Sequence, residues 1–366
     1  MDGVVFDGRF FDFVFACCFF EFLKNLESLI LVVQKIRQTG ENPQCKKKSD
    51  NVFKLYHFDY KYNYIERMPI LFALVGATGV GKSRLSLELA ERFNAEIIGV
   101  DSRQIYKDFA IGTAQPSSED MARVKHHLVD FLDPRKVFSA GDFCANVKKL
   151  LSENPKQNYI LVGGTGLYLQ SLMLGLPQIP KIEVSVRKSF EDDAIKFGSK
   201  SLYEKAKLVD PEAMEKVEEN NVQRIIRILE VFQLTGRKLS EWQKEREGGI
   251  GKLPVFWLNR SRENLYARID KRVDQMMADG WLDEIHKLAK TVPLDAPAWQ
   301  SLGYKELLCA KDGNQVQSVL EEVKRKTRNY AKRQLTWFRW QVKSTEVDLD
   351  TCTNPLEYIH NRVVAP

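Results

Sequence analysis

The sequence predicts an α/β protein in which a parallel sheet is flanked by helices. Three short apolar runs support this prediction, at residues 70–75, 96–100 and 159–162. Helical patterns separate the runs, and polar or glycine residues follow each of them. Short buried strands that alternate with helices are typical of a parallel sheet, because the helices connect the strands and cover both faces.

The first apolar run is followed by a phosphate-binding motif. Residues 76–83 read GATGVGKS and match G-x-x-x-x-G-K-[ST] throughout, between a predicted strand and a predicted helix. Backbone N–H groups and the helix N-terminus can surround a phosphate, and Lys82 adds a full charge. The predicted phosphate-binding residues are Gly76, Ala77, Thr78, Gly79, Val80, Gly81, Lys82 and Ser83, with the Ser83 hydroxyl placed to bind Mg²⁺. The motif predicts a P-loop and leaves open whether ATP, GTP or a prenyl diphosphate carries the phosphates.

Asp101 directly follows the second apolar run. The carboxyl ends of parallel strands form the ligand-binding edge of an open α/β sheet, so we expect Asp101 near the P-loop. Its carboxylate could act as a general base or as a metal ligand. Equally, it could cap a helix that follows. Position alone does not separate these roles.

Thr165 stands at the end of the third apolar run, after Gly163 and Gly164. The glycines allow backbone or substrate to approach closely. The hydroxyl of Thr165 could donate a hydrogen bond into the site or cap the helix that follows. Capping is the commoner role of threonine at such a position and is the favoured interpretation.

A basic and aromatic segment lies near the C-terminus. Residues 323–343 contain eight lysines or arginines and no acidic residue, with tryptophans, a tyrosine and a phenylalanine between them. Lys324, Arg328 and Lys332 are spaced by four and share one helix face. Cations bind phosphates and aromatic rings stack on unpaired bases, so beside a P-loop the segment favours nucleic-acid binding over a solvated surface. Arg224 and Arg227 form a second cation pair, for which surface salt bridges are an equal alternative.

Bulk properties exclude several classes of protein. The chain has 366 residues, a formal net charge of +6 and 28% charged residues, which is ordinary for a soluble globular protein. Its six scattered cysteines form no C-x-x-C pair, which argues against a zinc site and favours reduced thiols in the cytoplasm. No run of about 20 apolar residues predicts a membrane span. His126 and His127 are adjacent and would face opposite sides of a strand, which favours structural roles.

The composition divides the chain into segments. Residues 1–67 lack the strand–helix rhythm, so we interpret them as an atypical N-terminal extension, with Met68 as a candidate natural start. Deletion of residues 2–67 is expected to leave activity intact. The other predicted segments are a first part of the P-loop core at 68–175, a helical insertion at 176–250, the completion of the core with the basic helix at 251–345, and a tail at 346–366.

Taken together, the motifs of residues 69–340 resemble the tRNA dimethylallyltransferase (tRNA isopentenyltransferase) family. The matching blocks are GATGVGKS (76–83), DSRQIYKDFAIGTAQP (101–116), HHLVDFLDP (126–134), ILVGGTGLYLQSL (160–172), NNVQRIIRILEVFQLTG (220–236), LGYKELL (302–308) and TRNYAKRQLTWFRW (327–340). The P-loop alone is unspecific, whereas its order with the other blocks is highly specific.

The resemblance implies a reaction and roles for particular residues. Such enzymes transfer a dimethylallyl group from dimethylallyl diphosphate to N6 of adenosine 37, next to the tRNA anticodon. Asp101 would accept the proton from N6, and Thr165 would assist at the reaction centre. Arg272 would contact the leaving diphosphate, which the P-loop and Mg²⁺ hold through Lys82 and Ser83. The enzyme would act as a monomer.

The resemblance also implies a tRNA surface, with the helical insertion embracing the anticodon stem-loop. The implied contacts are Asp101, Ser102, Arg103, Gln104, Gln223, Arg224, Ile225, Ile226, Arg227, Gln300, Ser301, Leu302, Gly303, Tyr304, Lys305, Lys332, Arg333, Gln334, Leu335, Thr336, Trp337, Phe338 and Arg339. Two positions depart from the family pattern. Gln115 stands where lysine is usual, which puts a phosphate contact there in doubt, and Asn221 replaces a usual aspartate.

Three other functions share some of these features. An adenylate isopentenyltransferase has the same core and acts on free AMP, ADP or ATP, but it has little use for a basic C-terminal helix. A P-loop kinase would transfer phosphate from ATP. An RNA-binding protein with a vestigial P-loop needs no catalytic groups, and the intact Lys82, Ser83 and Asp101 argue against it.

Overall fold

A computed structural model describes residues 69–364 except Lys216 and Lys311. The predicted extension at residues 1–67 lies outside the described residues. Within them, the strands are β1 (Leu71–Gly76), β2 (Ala95–Val100), β3 (His126–His127), β4 (Asn158–Gly163), β5 (Leu176–Pro177), β6 (Arg246–Glu247), β7 (Val255–Asn259) and β8 (Thr345–Asp348). Six of them form one parallel sheet in the order β3-β2-β4-β1-β7-β8. The predicted α/β fold class is confirmed.

Helices connect these strands and cover the sheet. They are α1 (Lys82–Phe93), α2 (Ser118–Arg123), α3 (Ala140–Glu153), α4 (Gly166–Leu174), α5 (Val184–Phe197), α6 (Ser199–Val209), α7 (Pro211–Met214), α8 (Val222–Thr235), α9 (Leu239–Lys244), α10 (Arg262–Ala278), α11 (Trp281–Leu288), α12 (Tyr304–Leu308), α13 (Gly313–Gln341) and α14 (Pro355–Val364). No helix of the described part combines the length and apolar character needed to cross a membrane.

The central strand β1 is apolar along its whole length because both of its faces are buried. Phe72 and Leu74 pack into the core cluster on one side of the sheet, whereas Ala73 and Val75 pack into the cluster on the other. Alternate side chains of a strand point to opposite faces, so a strand covered on both sides needs a continuous apolar run. This requirement explains why the apolar runs identified the sheet.

The strand order determines which loops meet. β2, β4 and β1 are neighbours, and Gly163 at the end of β4 pairs with both Val75 and Val100. Their carboxyl ends lie at one edge of the sheet, which is where open α/β sheets bind ligands. The P-loop, Asp101 and Thr165 therefore emerge side by side, although they are far apart in sequence.

A second, two-stranded sheet stands at the base of the helical insertion. β5 and β6 pair antiparallel, and helices α5–α9 lie in the chain between them. These helices share a separate core cluster, and the buried Asp210 accepts hydrogen bonds from Ser240 and from the Ala213 N–H. The division of the chain into domains remains a prediction.

The described part of the chain that follows β7 contains one more strand besides its helices. β8 adds a sixth strand beside β7, and α14 then returns to α1, where Glu357 pairs with Arg92 at 2.7 Å. Thr345–Asp348 reads TEVD and has only one buried residue. An edge strand this short and polar carries no apolar run, so periodicity could not reveal it.

Candidate active site

The P-loop joins β1 to α1 at the ligand-binding edge of the sheet. Ala77 and Val80 are fully buried and anchor the loop from below. Gly81 has a φ of 117°, which a side chain would oppose, and it directly precedes the first residue of α1. The turn therefore presents the free N–H groups of a helix N-terminus, which favour a bound anion.

Lys82 lies along the loop, where its Nζ donates to the carbonyl oxygens of Gly76 and Ala77 at 2.9 Å each. Burial lowers the pKa of Lys82 to about 8; the carboxylate of Asp101 opposes this effect and the Arg272 guanidinium adds to it. Both groups therefore lie within electrostatic range of Lys82. The expected proximity of Asp101 to the P-loop is confirmed.

Asp101 is not a helix cap, because no helix directly follows β2 and the chain continues in turns to residue 115. One carboxylate oxygen, Oδ1, accepts from the N–H of Arg103 at 2.8 Å and of Gln104 at 3.4 Å. This arrangement is an Asx-turn, in which the side chain takes the place of a backbone turn. Of the roles left open by the sequence, the capping role is wrong.

Thr165 stands at the N-cap position of α4 but makes no capping hydrogen bond, so the favoured interpretation is wrong. Its Oγ1 accepts from the Ser102 N–H at 3.1 Å instead. The Thr165 hydroxyl also shares a hydrogen bond with the hydroxyl of Tyr330, a residue whose pKa is raised chiefly by burial and further by the nearby Asp101. Thr165 thus ties the start of the Asp101 turn to α13.

Three guanidinium groups surround the P-loop from the C-terminal part of the chain. Arg272 of α10 lies 3.5 Å from the Thr78 hydroxyl, and burial lowers its pKa. Arg268, one turn earlier, donates from Nε to Gly79 O at 2.8 Å. Arg260 donates to Val80 O at 2.9 Å. The loop therefore carries more positive charge than Lys82 alone supplies.

Of these three arginines, the sequence predicted a diphosphate contact only for Arg272. Arg268 could have been found, because a spacing of four places it on the same face of α10. Arg260 could not, because its position depends on Asp350, 90 residues away, whose Oδ1 accepts from Arg260 Nη1 at 2.6 Å. That contact exists only because β8 lies beside β7.

The basic helix α13 has two different halves. In the first, Lys324 pairs with Asp274 at 2.7 Å and Arg328 pairs with Asp270 at 2.6 Å, both on α10. The prediction that Lys324, Arg328 and Lys332 form one phosphate-binding face is therefore wrong for the first two residues. In the second half, Lys332, Arg333, Thr336, Arg339 and Trp340 are exposed.

Comparison with known proteins shows which family the chain belongs to. The sequence profile of the family described as IPP transferase matches residues 104–341. The chain belongs to the IPP transferase family. The tRNA dimethylallyltransferase of Anoxybacillus flavithermus is 39% identical over 275 residues, which are 74% of this chain and 87% of that relative. The tRNA dimethylallyltransferase of Bacillus subtilis is 40% identical over 288 residues, 77% of this chain and 91% of the relative.

Solved structures show the same relationship. The tRNA isopentenylpyrophosphate transferase of Bacillus halodurans has a TM-score of 0.58 at 37% identity, covering 80% of this chain and 95% of that one. A eukaryotic dimethylallyltransferase acting on tRNA has a TM-score of 0.65 at 27% identity, covering 79% of this chain and 77% of that one. The family resemblance identified from the motifs is confirmed.

The tRNA contacts implied for an IPP transferase include exposed and buried side chains. The buried side chains are those of Ile225, Ile226, Ser301, Tyr304, Gln334 and Phe338. The exposed ones include Gln223, Arg224 and Lys305. Arg227 pairs with the buried Glu230 at 2.8 Å. Direct contacts with a large ligand would therefore fall to the exposed members, and the assignment remains a prediction.

Both departures from the family pattern have a structural role. Gln115 Nε2 donates to the carbonyl oxygens of Gln104 at 2.9 Å and Tyr106 at 2.7 Å, so its amide holds the turn that follows Asp101. Asn221 caps α8, because its side chain accepts from the Arg224 N–H at 3.3 Å. Asparagine and aspartate are both good capping residues, so this exchange preserves the cap.

Proposed function

We propose that this IPP transferase transfers a dimethylallyl group from dimethylallyl diphosphate to N6 of adenosine 37, beside the anticodon of tRNA. The observation that carries the proposal is the juxtaposition of the Asp101 carboxylate with Lys82 and Arg272 at the P-loop. A prenyl transfer to an amine needs both halves of this site. One half must accept a proton and the other must hold a leaving diphosphate.

The P-loop half suits a diphosphate. Lys82 and Arg272 are partly buried, and this burial lowers the pKa of both, so an anion between them would relieve an unfavourable accumulation of positive charge. The free amides at the start of α1 add further hydrogen-bond donors. Negative charge grows on the diphosphate as its bond to the prenyl C1 breaks, and donors already in place stabilise that change.

A magnesium ion fits beside this half of the site. The Ser83 hydroxyl is exposed in the first turn of α1, and no group of three or more His, Cys, Asp or Glu side chains in the described part could hold a metal by itself. Mg²⁺ commonly keeps several waters and binds through one or two protein ligands together with substrate phosphates. Ser83 would be such a ligand, and the ion would neutralise part of the diphosphate charge.

Asp101 supplies the proton acceptor. The exocyclic N6 of adenine is a weak nucleophile, so removal of its proton must accompany its attack. The N6–C1 bond forms as the C1–O bond breaks, the diphosphate leaves with the electron pair, and the N6 proton passes to a carboxylate oxygen of Asp101. Thr165, through Ser102, holds the turn that aims this carboxylate.

The second half of α13 is the proposed surface for the anticodon stem-loop. Its exposed Lys332, Arg333 and Arg339 suit phosphates, and Trp340, 75% exposed, suits an unpaired base. Enzymes that modify a base within a folded nucleic acid first take it out of the stack. An adenylate isopentenyltransferase acting on free AMP would not need such a surface, so tRNA is the favoured acceptor. The monomeric state and cytoplasmic location remain predictions.

A direct test offers the enzyme both acceptors. Purified protein would be incubated with radiolabelled dimethylallyl diphosphate, Mg²⁺ and either unmodified bulk tRNA or AMP, followed by digestion and nucleoside analysis. We expect label in N6-dimethylallyl adenosine from tRNA. Label transferred to AMP but not to tRNA would replace the proposal with the adenylate alternative. In a separate incubation with labelled ATP, transfer of labelled phosphate would indicate a kinase.

A further inference from the structure

Gln334 lies on the buried side of α13, between the two glycine-rich loops of the site. Only 5% of its surface is exposed. Its Oε1 accepts from the N–H of Thr78 in the P-loop at 2.9 Å, and its Nε2 donates to the carbonyl oxygen of Gly164 at 3.0 Å. These partners are 256 and 170 positions away in sequence. One side chain thus connects the loop after β1 to the loop after β4.

A carboxamide satisfies both partners. Thr78 presents an N–H and needs an acceptor, whereas Gly164 presents a carbonyl oxygen and needs a donor. The glutamine amide carries both functions on one planar group, and the partners determine which end faces which loop. A side chain at position 164 would collide with the Gln334 amide, so the glycine there allows the approach.

The contact with Thr78 falls at the centre of the phosphate-binding turn. The Thr78 side chain lies beside Arg272, and the carbonyl oxygens of Gly79 and Val80 are bound by Arg268 and Arg260. Among these contacts, Gln334 accepts from a backbone N–H of the loop, that of Thr78, whereas the arginines contact loop carbonyl oxygens or the Thr78 hydroxyl. The direction of the remaining N–H groups therefore depends on where Gln334 holds Thr78.

We propose that Gln334 is a positioning residue for diphosphate and does not contact tRNA. The inference rests on the proposed function and refines it. Some of residues 332–339 would then act on tRNA, whereas Gln334 would act on diphosphate. Gln334 faces the P-loop, and its exposed neighbours Lys332 and Arg333 face the acceptor. Both of its bonds are internal to the protein, so its effect on diphosphate passes through the Thr78 backbone.

The test measures each ligand separately. Gln334→Met preserves length and removes both hydrogen bonds without adding charge, and Lys332→Ala, two residues away on the exposed side, is the matched control. We expect Gln334→Met to weaken binding of inorganic diphosphate, in the presence of Mg²⁺, by about tenfold, because a buried amide loses its partner. Its tRNA affinity should change by less than about twofold, whereas Lys332→Ala should show the opposite pattern.

A second variant and a second measurement guard against a folding defect. Gln334→Glu keeps an acceptor for Thr78 but sets an oxygen against Gly164 O, and it should also weaken diphosphate binding. Amide hydrogen exchange at Thr78 should be faster in Gln334→Met than in the unaltered chain. Weaker tRNA binding with unchanged diphosphate binding, or unchanged exchange at Thr78, would overturn the inference. A chain that binds diphosphate through Gln334 but prenylates no tRNA would overturn only the proposed function.

Discussion

At the scale of single residues, the fold lowers the pKa of Lys82, and this change can be tested by kinetics. Burial lowers the pKa of its ammonium group to about 8, so it is largely protonated at neutral pH and loses its charge within a range that kinetics can reach. The pKa of the unfolded side chain is higher, at 10.5. The charge that the P-loop offers to a diphosphate is therefore present below pH 8 and decreases above it.

This lowered pKa predicts a pH dependence for the donor. At saturating tRNA, the value of kcat/KM for dimethylallyl diphosphate reports groups of the enzyme–tRNA complex before the donor binds, and it should fall as the pH rises through about 8. In Lys82→Arg this fall should be absent, since a guanidinium keeps its proton. Steady-state rates at fixed saturating tRNA provide the measurement. An equal fall in the arginine variant would assign the titration to another group.

Residue roles were predictable where a local pattern determines them. The P-loop and Asp101 follow strands whose apolar runs are visible in the sequence, so their meeting could be predicted. Thr165 could not be assigned, because its hydroxyl bonds Ser102 and Tyr330 and these contacts arise from packing. Gln334 was grouped with the tRNA contacts that the family resemblance implies, and only the structure shows that it faces inward.

At the scale of elements, the first half of α13 pairs with α10, whereas the second half carries exposed basic residues. Asp274 and Asp270 of α10 form ion pairs with Lys324 and Arg328, respectively. These pairs fix the packing of α13 on α10, whose Arg272 lies at the P-loop. The helix thereby relates the proposed tRNA surface to the diphosphate site.

The two halves should respond differently to loss of a cation. Lys332→Ala should weaken tRNA binding and reduce the slope of log K against log salt by about 1, since one phosphate contact is lost. Arg328→Ala removes a charge of the same sign one turn away and should leave that slope unchanged while lowering the melting temperature. Binding isotherms at several salt concentrations distinguish the two. A reduced slope in Arg328→Ala would show that this half also binds tRNA.

The cap of α8 makes a further prediction at this scale. Asn221→Ala should lower the free energy of unfolding by about 1 kcal/mol, because the Arg224 N–H loses its acceptor. Asn221→Asp, which restores the residue usual in the family, should be neutral or slightly stabilising because a carboxylate also favours a helix N-terminus. Urea denaturation would measure both. Equal stability of the alanine and asparagine proteins would show that the cap contributes nothing.

Elements were predictable to the extent that they are buried and regular. The inner strands β1, β2 and β4 have apolar runs, and α1 follows a motif that defines its first turn. No helix directly follows Asp101, because its carboxylate and the Gln115 amide stabilise turns. β8 is polar and short, and its place is determined by pairing with β7.

At the scale of the whole molecule, the sheet order assembles one site from distant parts of the chain. β2, β4 and β1 bring Asp101, Thr165 and the P-loop to one edge, and α10 and α13 add Arg272 and Gln334. In the proposed reaction, the described residues contribute a proton acceptor and an anion site. If the two act together, removal of the acceptor must slow the chemical step without loosening either ligand.

The most direct test is the single-turnover rate of prenyl transfer to tRNA by Asp101→Asn. Asparagine keeps the acceptor for the N–H groups of Arg103 and Gln104, so the turn survives while the base is lost. We predict a rate lower by roughly 10²–10⁴, with the affinities for tRNA and diphosphate unchanged. A near-normal rate in this variant would contradict the account, because proton transfer would then not pass through Asp101.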